Sequence, residues 1–123
     1  IMAEKRELME QFRRWIEELG RQPETIEGHL EHVKSYLDAE LPGEDFHFPI
    51  GSDEDDPAHL ERFFLEDFPR SAPETTSAYL KKTITSIKKF YTFLANAGVI
   101  SREERNTILR QIKTEKERWM KDT

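Results

Sequence analysis

The sequence of 123 residues contains no cysteine. Disulfides and thiolate metal sites are therefore excluded, and a cytoplasmic protein is the simple expectation. No apolar run approaches the roughly 18 residues that a membrane-spanning helix needs, and no signal-peptide pattern is present. Histidine is scarce. Of the four, only His29 and His32 have a spacing that could pair on one helix face, while His47 falls in a loop and His59 on another helix. The acidic run Asp53–Asp56 lacks the alternating ligands and distal glutamate of a calcium loop and reads as a solvated turn. No metal, no cofactor and no autonomous catalysis are expected.

The most informative absence is local. From Thr75 to Arg102 there is no aspartate or glutamate, in a chain whose formal net charge is −6. That stretch carries Lys81, Lys82, Lys88, Lys89 and Arg102, a local +5, which leaves −11 on the remainder. A net negative chain is a poor partner for a phosphate backbone. Segregated charge can nevertheless make a basic face on an acidic body.

The same stretch is patterned as a helix. Leu80, Ile84, Ile87, Tyr91 and Leu94 recur at alternating spacings of four and three, which gives one buried face. With Ile84 at zero and about 100° per residue, Lys81, Thr85, Lys88 and Thr92 fall roughly 40–100° to one side, and Lys82 and Lys89 lie farther round. A charge run of this kind is most often a solvated face. The missing carboxylates make this one a candidate surface for nucleic acid.

Charged and hydrophobic residues each make up 36 % of the chain, so one modest core under a very polar surface is expected. A first helix is predicted from about Ala3 to Leu19, burying Leu8, Phe12, Trp15, Ile16 and Leu19 and ending at Gly20. Arg21-Gln22 form a short link, and Pro23 opens a second helix to Glu40 that buries Ile26, Leu30, Val33 and Leu37. Beside that stripe runs another, Thr25, His29, His32 and Tyr36, which lines an interface or is merely a half-exposed flank. Residues 41–56 read as a loop pinned by Phe46, Phe48 and Ile50, and Pro57 to Asp67 as a third helix around Leu60, Phe63 and Phe64. Pro73 begins the fourth helix, which stops at Asn96-Ala97-Gly98. Ser101 and Glu104 have capping-box spacing for a fifth. No strand pattern occurs, and the expected fold is all-α, a compact bundle of about five helices.

Ile84-Thr85-Ser86-Ile87-Lys88-Lys89-Phe90-Tyr91-Thr92-Phe93-Leu94, followed by Ala97-Gly98-Val99-Ile100, resembles the "LSALRxFYxFLxxxGxI" signature of the N-terminal, SAM-like core-binding domain of tyrosine recombinases and phage integrases. Phe12, Trp15 and Ile16 before Gly20, then Pro23-Glu24-Thr25-Ile26 and His29, are similar to that family's opening "FxxWLxxxGxSxxTIxxY". The chain departs from the pattern at His29, where tyrosine is usual, at Tyr79, where threonine is frequent, and at Ser101-Arg102, which replace Asn-Pro. The resemblance implies a SAM-like helical domain that forms half of a clamp around double-stranded DNA, with its second and fourth helices crossing at the major groove. It implies a separate domain carrying the catalytic residues, so that binding and not catalysis is expected of this chain.

The DNA-binding residues so indicated are Lys81, Lys82, Lys88 and Lys89, with Thr85 and Thr25 as phosphate partners and His29 or Gln22 nearest the base edges. Lysines of this kind neutralise phosphates and position the protein more than they read sequence. Residues 1–112 are assigned to the DNA-binding domain. Residues 113–123 are assigned to a helical extension leading toward a catalytic domain, because after Ile112 only Trp119 and Met120 are apolar. Ile1 before Met2, and an end inside a charged helical pattern, read as a piece of a longer protein. The alternative is an acidic helical module that binds another protein, or itself, through the exposed half of the fifth helix with Trp119 as anchor.

Overall fold

Two glycines punctuate the fold where the sequence places them. Gly20 and Gly98 both have φ 77°, a left-handed conformation that costs little only without a Cβ. At Gly98 the full Schellman pattern forms: Val99 N–H donates to the Leu94 carbonyl at 2.9 Å and Gly98 N–H to that of Ala95 at 3.2 Å. These stops fix where two long helices end and the next ones turn back.

A computed structural model of the chain describes residues 2–40, 45–47, 63–67 and 77–121. The helices are α1 (Lys5–Glu18), α2 (Pro23–Glu40), α3 (Phe63–Asp67), α4 (Ser77–Asn96) and α5 (Arg102–Lys121). The all-α bundle expected from the sequence is what forms. α3 departs from expectation in being a π-helical turn. The predicted helical residues 57–62 and 73–76, with Leu60, lie outside the described residues, as do the side chains of Phe46, Phe48 and Ile50.

One small addition corrects the strand-free reading. β1 (Met2–Glu4) and β2 (Asp45–His47) pair antiparallel, with Met2 opposite His47 and Glu4 opposite Asp45. The first helix therefore begins at Lys5 and not at Ala3. Three residues are too few for alternation to announce a strand.

The core is one cluster drawn from every helix. α1 contributes Leu8, Phe12 and Ile16, and α2 contributes Ile26, Leu30, Val33, Tyr36 and Leu37. α4 lies across α2 and α5, its two principal neighbours. Phe12 meets Phe90 edge-on at 5.3 Å, and Tyr36 meets Phe63 edge-on at 5.1 Å. Such ring pairs add about 0.5–1.5 kcal/mol each beyond their buried area. Leu19, placed by the sequence on the buried stripe of α1, is 48 % exposed. The helix ends at Glu18, so the last turn no longer holds the stripe's direction.

α5 starts as its sequence dictates. Ser101 N–H donates to Glu104 Oε1, and Glu104 N–H donates to Ser101 Oγ, both at 3.0 Å. Two otherwise orphaned helix-end donors are thus satisfied. Its far end corrects an expectation. Trp119 is 0 % exposed, stacked on Phe64 at 4.7 Å with 21° between the rings. The helix runs unbroken through Ile112, so a boundary there would cut a continuous element whose last turns belong to the core. With its indole buried, Trp119 cannot serve as the exposed anchor of a protein–protein contact. No helix among the described residues is long and apolar enough to cross a membrane.

Candidate nucleic-acid interface

The stripe Thr25, His29, His32 and Tyr36 on α2 faces α4, and it divides by depth. Tyr36 is fully buried, and its hydroxyl lies 2.5 Å from that of Tyr91 on α4. One turn toward the surface, His29 and His32 are each 9 % exposed. Both present Nδ1 to the same atom, Ser86 Oγ, at 2.7 and 2.9 Å. Ser86 Oγ in turn donates to the Lys82 carbonyl at 3.0 Å. The interface reading of this stripe holds for its three inner members, and Thr25 stays exposed at the end.

Above this polar layer a cleft of about 470 Å³ opens between α2 and α4. α2 lines it with Glu24, Thr25, Gly28, His29 and His32, and α4 with Lys81, Lys82, Thr85 and Ser86. Gly28 keeps it open: a Cβ built there would meet nothing within 4 Å. Five of the eight residues named as DNA contacts from the sequence, Thr25, His29, Lys81, Lys82 and Thr85, are thus brought to one place. His29 differs from expectation in forming the floor of the cleft, where its ring is held by Ser86, and not a tip reaching for base edges. Gln22 is exposed, and its carbonyl accepts the Ile26 N–H at 3.0 Å.

The remaining two lysines continue the basic surface along α4. Lys88 is exposed and Lys89 half-buried. Thr85 and Thr92 donate their hydroxyls back to the carbonyls of Lys81 and Lys88 at 3.0 Å each. Their oxygens keep lone pairs.

Cations predominate on this face, Lys81 and Lys82 lining the cleft against Glu24. Burial lowers the Lys89 pKa from its ordinary value, and the Arg21 guanidinium lowers it further. His29 is held below the ordinary imidazole value by burial first, then by Lys89, His32 and Arg21. His32 is lowered by burial and by Lys82, against an opposing pull from Glu31. Among the described residues none of Lys81, Lys82, Lys88 and Lys89 forms an ion pair. Lys5 pairs with Asp38 at 3.4 Å, Arg13 with Glu27 at 2.6 Å and Arg118 with Glu115 at 2.8 Å.

Arg21, Glu24, Gly28, His32 and Ser86 are the members of this surface that the sequence reading left out as site residues. His32 and Ser86 stood inside patterns already singled out, the second stripe and the helix-four motif. Arg21 sits in the link between α1 and α2, and Gly28 in a helix, where periodicity says nothing of either. Comparison of the chain with protein-family models, with curated proteins and with solved structures finds no match.

Proposed function

We propose that this chain is a duplex-DNA-binding module, of the kind its resemblance to the core-binding domain of tyrosine recombinases suggests, with no catalysis of its own. The observation that carries the reading is that, among the described residues, none of the four α4 lysines forms an ion pair, and that two of them line a cleft with hydroxyls, imidazoles and Glu24. Three basic side chains elsewhere, Lys5, Arg13 and Arg118, do pair with carboxylates. On α4 a row of ammonium groups stands near Arg21, with Glu24 across the cleft but in no ion pair with them among the described residues, which favours a positive potential on that face.

Such a face suits an extended polyanion. Lysines 81, 82, 88 and 89 would neutralise phosphates along one strand and release condensed counterions, which is where most of the affinity would come from. Lysine is a flexible point charge, so these contacts set position and not sequence. α2 and α4 would straddle the groove, with Thr25 and Thr85 on phosphates. The net negative charge of the remainder would disfavour approach through its acidic surfaces. Strand exchange, if the parent protein performs it, would need groups outside this chain.

Fluorescence anisotropy with a labelled duplex at low salt tests the proposal. The parent protein is expected to bind, and the Lys81→Ala, Lys82→Ala, Lys88→Ala, Lys89→Ala variant to lose nearly all binding. Equal binding by the two proteins would remove α4 as the contact.

A further inference from the structure

Ser86 Oγ has one proton and two lone pairs to meet three neighbours. The Lys82 carbonyl can only accept, so the hydroxyl proton is committed there. Both Nδ1 atoms must then donate to the oxygen, His29 at 2.7 Å and His32 at 2.9 Å. In the neutral imidazoles that assignment puts the proton on Nδ1 and leaves a lone pair on Nε2. Among the described residues neither Nε2 has a hydrogen-bond partner, and both rings line the cleft.

We propose that this cleft seats one backbone phosphate of the bound duplex, and that the phosphate enters together with a single proton taken up at Nε2 of the His29–His32 pair. The proposal rests on the DNA-binding reading above and adds to it a defined anion site and a pH dependence.

A bare Nε2 lone pair repels a phosphate oxygen. A protonated Nε2 donates to it, and a charge-assisted bond of that kind is about twice as strong as a neutral one. Protonation at Nε2 leaves the Ser86 network intact, because both Nδ1 protons already point at the hydroxyl. In the free protein the charged form is disfavoured. Burial opposes it, as do Lys82 and Lys89 from α4 and Arg21 from the α1–α2 link, with Glu31 alone pulling the other way on His32. Glu24 and Lys81 also line the cleft, and the Tyr79 ring meets His32 edge-on at 5.2 Å. A phosphate beside Nε2 reverses the balance. The two rings share one oxygen, so a second proton would place two cations side by side, and one proton per phosphate is the expected stoichiometry. The proton comes from solvent or buffer, and no covalent bond changes.

The test joins two readouts on the full chain. In the free protein, long-range nitrogen–proton correlation spectra should show His29 and His32 as Nδ1–H tautomers. On adding a short duplex at constant ionic strength, one of them should become imidazolium. Calorimetry in buffers of different ionisation enthalpy should then report uptake of about one proton, and affinity should fall by up to about tenfold per pH unit between about pH 6 and 8. The His29→Gln, His32→Gln variant can donate from its amides without titrating, so its affinity should be nearly level over that range. Gly28→Leu, whose side chain has open space to occupy, should fill the cleft and abolish proton uptake in a folded protein.

Nε2–H tautomers in the free protein would overturn the proposal. So would lysine-dependent duplex binding without proton uptake, or with the same pH profile in the glutamine variant, and either result would leave the DNA reading standing. A parent protein that binds no duplex at any pH would overturn both. Inorganic phosphate alone serves as the source control. Saturation of the histidine signals by it where the duplex does not bind would overturn the assignment to a nucleic-acid backbone.

Discussion

Trp119, two residues from the end of α5, stacks face to face on Phe64 with ring centroids 4.7 Å apart. This contact ties the last helix to the π-helical turn α3. Both rings are buried, and among the described residues the Trp119 Nε1 has no hydrogen-bond partner. The indole therefore contributes by packing and pays for an unsatisfied donor. Trp119→Ala should destabilise the fold by about 3–5 kcal/mol. Trp119→Phe, which keeps a ring and removes the orphaned donor, should cost clearly less. Urea unfolding of the two variants checks the order, and equal losses would show that the ring stack is not what holds α5.

Tyr36 and Tyr91 join α2 to α4 through hydroxyls 2.5 Å apart in a fully buried setting. Truncating either to phenylalanine removes a buried partner of the other, at a cost of about 1–3 kcal/mol. The double variant should cost less than the sum of the two. A double-mutant cycle by chemical denaturation should give a coupling of about 1 kcal/mol. Additive losses would mean that the bond contributes nothing net.

Gly28 lies mid-helix in α2, and its backbone does not need a glycine. An added Cβ meets no atom within 4 Å. Gly28→Ala should therefore raise stability by about 0.5–1 kcal/mol through lower chain entropy in the unfolded state and better helix propensity. A thermal melt that moves downward instead would show that the position is more crowded than its geometry indicates.

The histidine pair gives folding stability a pH dependence of known sign. Both imidazoles titrate below their ordinary value of 6.5 in the folded protein. At pH values between the folded and unfolded pKa the unfolded chain binds more protons, so stability rises with pH there. The contribution is complete above the unfolded value and is lost as pH falls through the folded one. Unfolding free energies measured from neutral pH downward should drop more steeply in the parent than in the His29→Gln, His32→Gln variant. Parallel curves would contradict the assignment.

Much of the fold could be read in advance for local reasons. The span of α2, the glycine stops and the Ser101–Glu104 box follow from contacts within one turn of chain. The partners of His29 and His32 could not be read, because Ser86 is 57 and 54 residues away and only the packing of α2 on α4 brings it near. The stripe on α2 told that these side chains share a face. It did not tell whether that face meets water or another helix. Trp119 was misplaced for a different reason. It stands alone in a charged stretch, yet it follows Ile112 by two helical turns and so falls on the same face as Ile108 and Ile112, a signal that the surrounding charges obscured. The direction of Lys81 and Lys82, which line the cleft, follows from helical angle, whereas Arg21 lies in a link with no period.

The central claim is that the α4 lysines meet phosphates, and the salt dependence of duplex binding tests it most directly. Each phosphate contact adds about 0.9 to the slope of log affinity against log salt. Replacing Lys81, Lys82, Lys88 and Lys89 with alanine should therefore flatten that slope by about 3–4 while weakening binding on every duplex sequence alike. A variant that keeps the parent's slope would contradict the claim, and would place any DNA contact on another face of the protein.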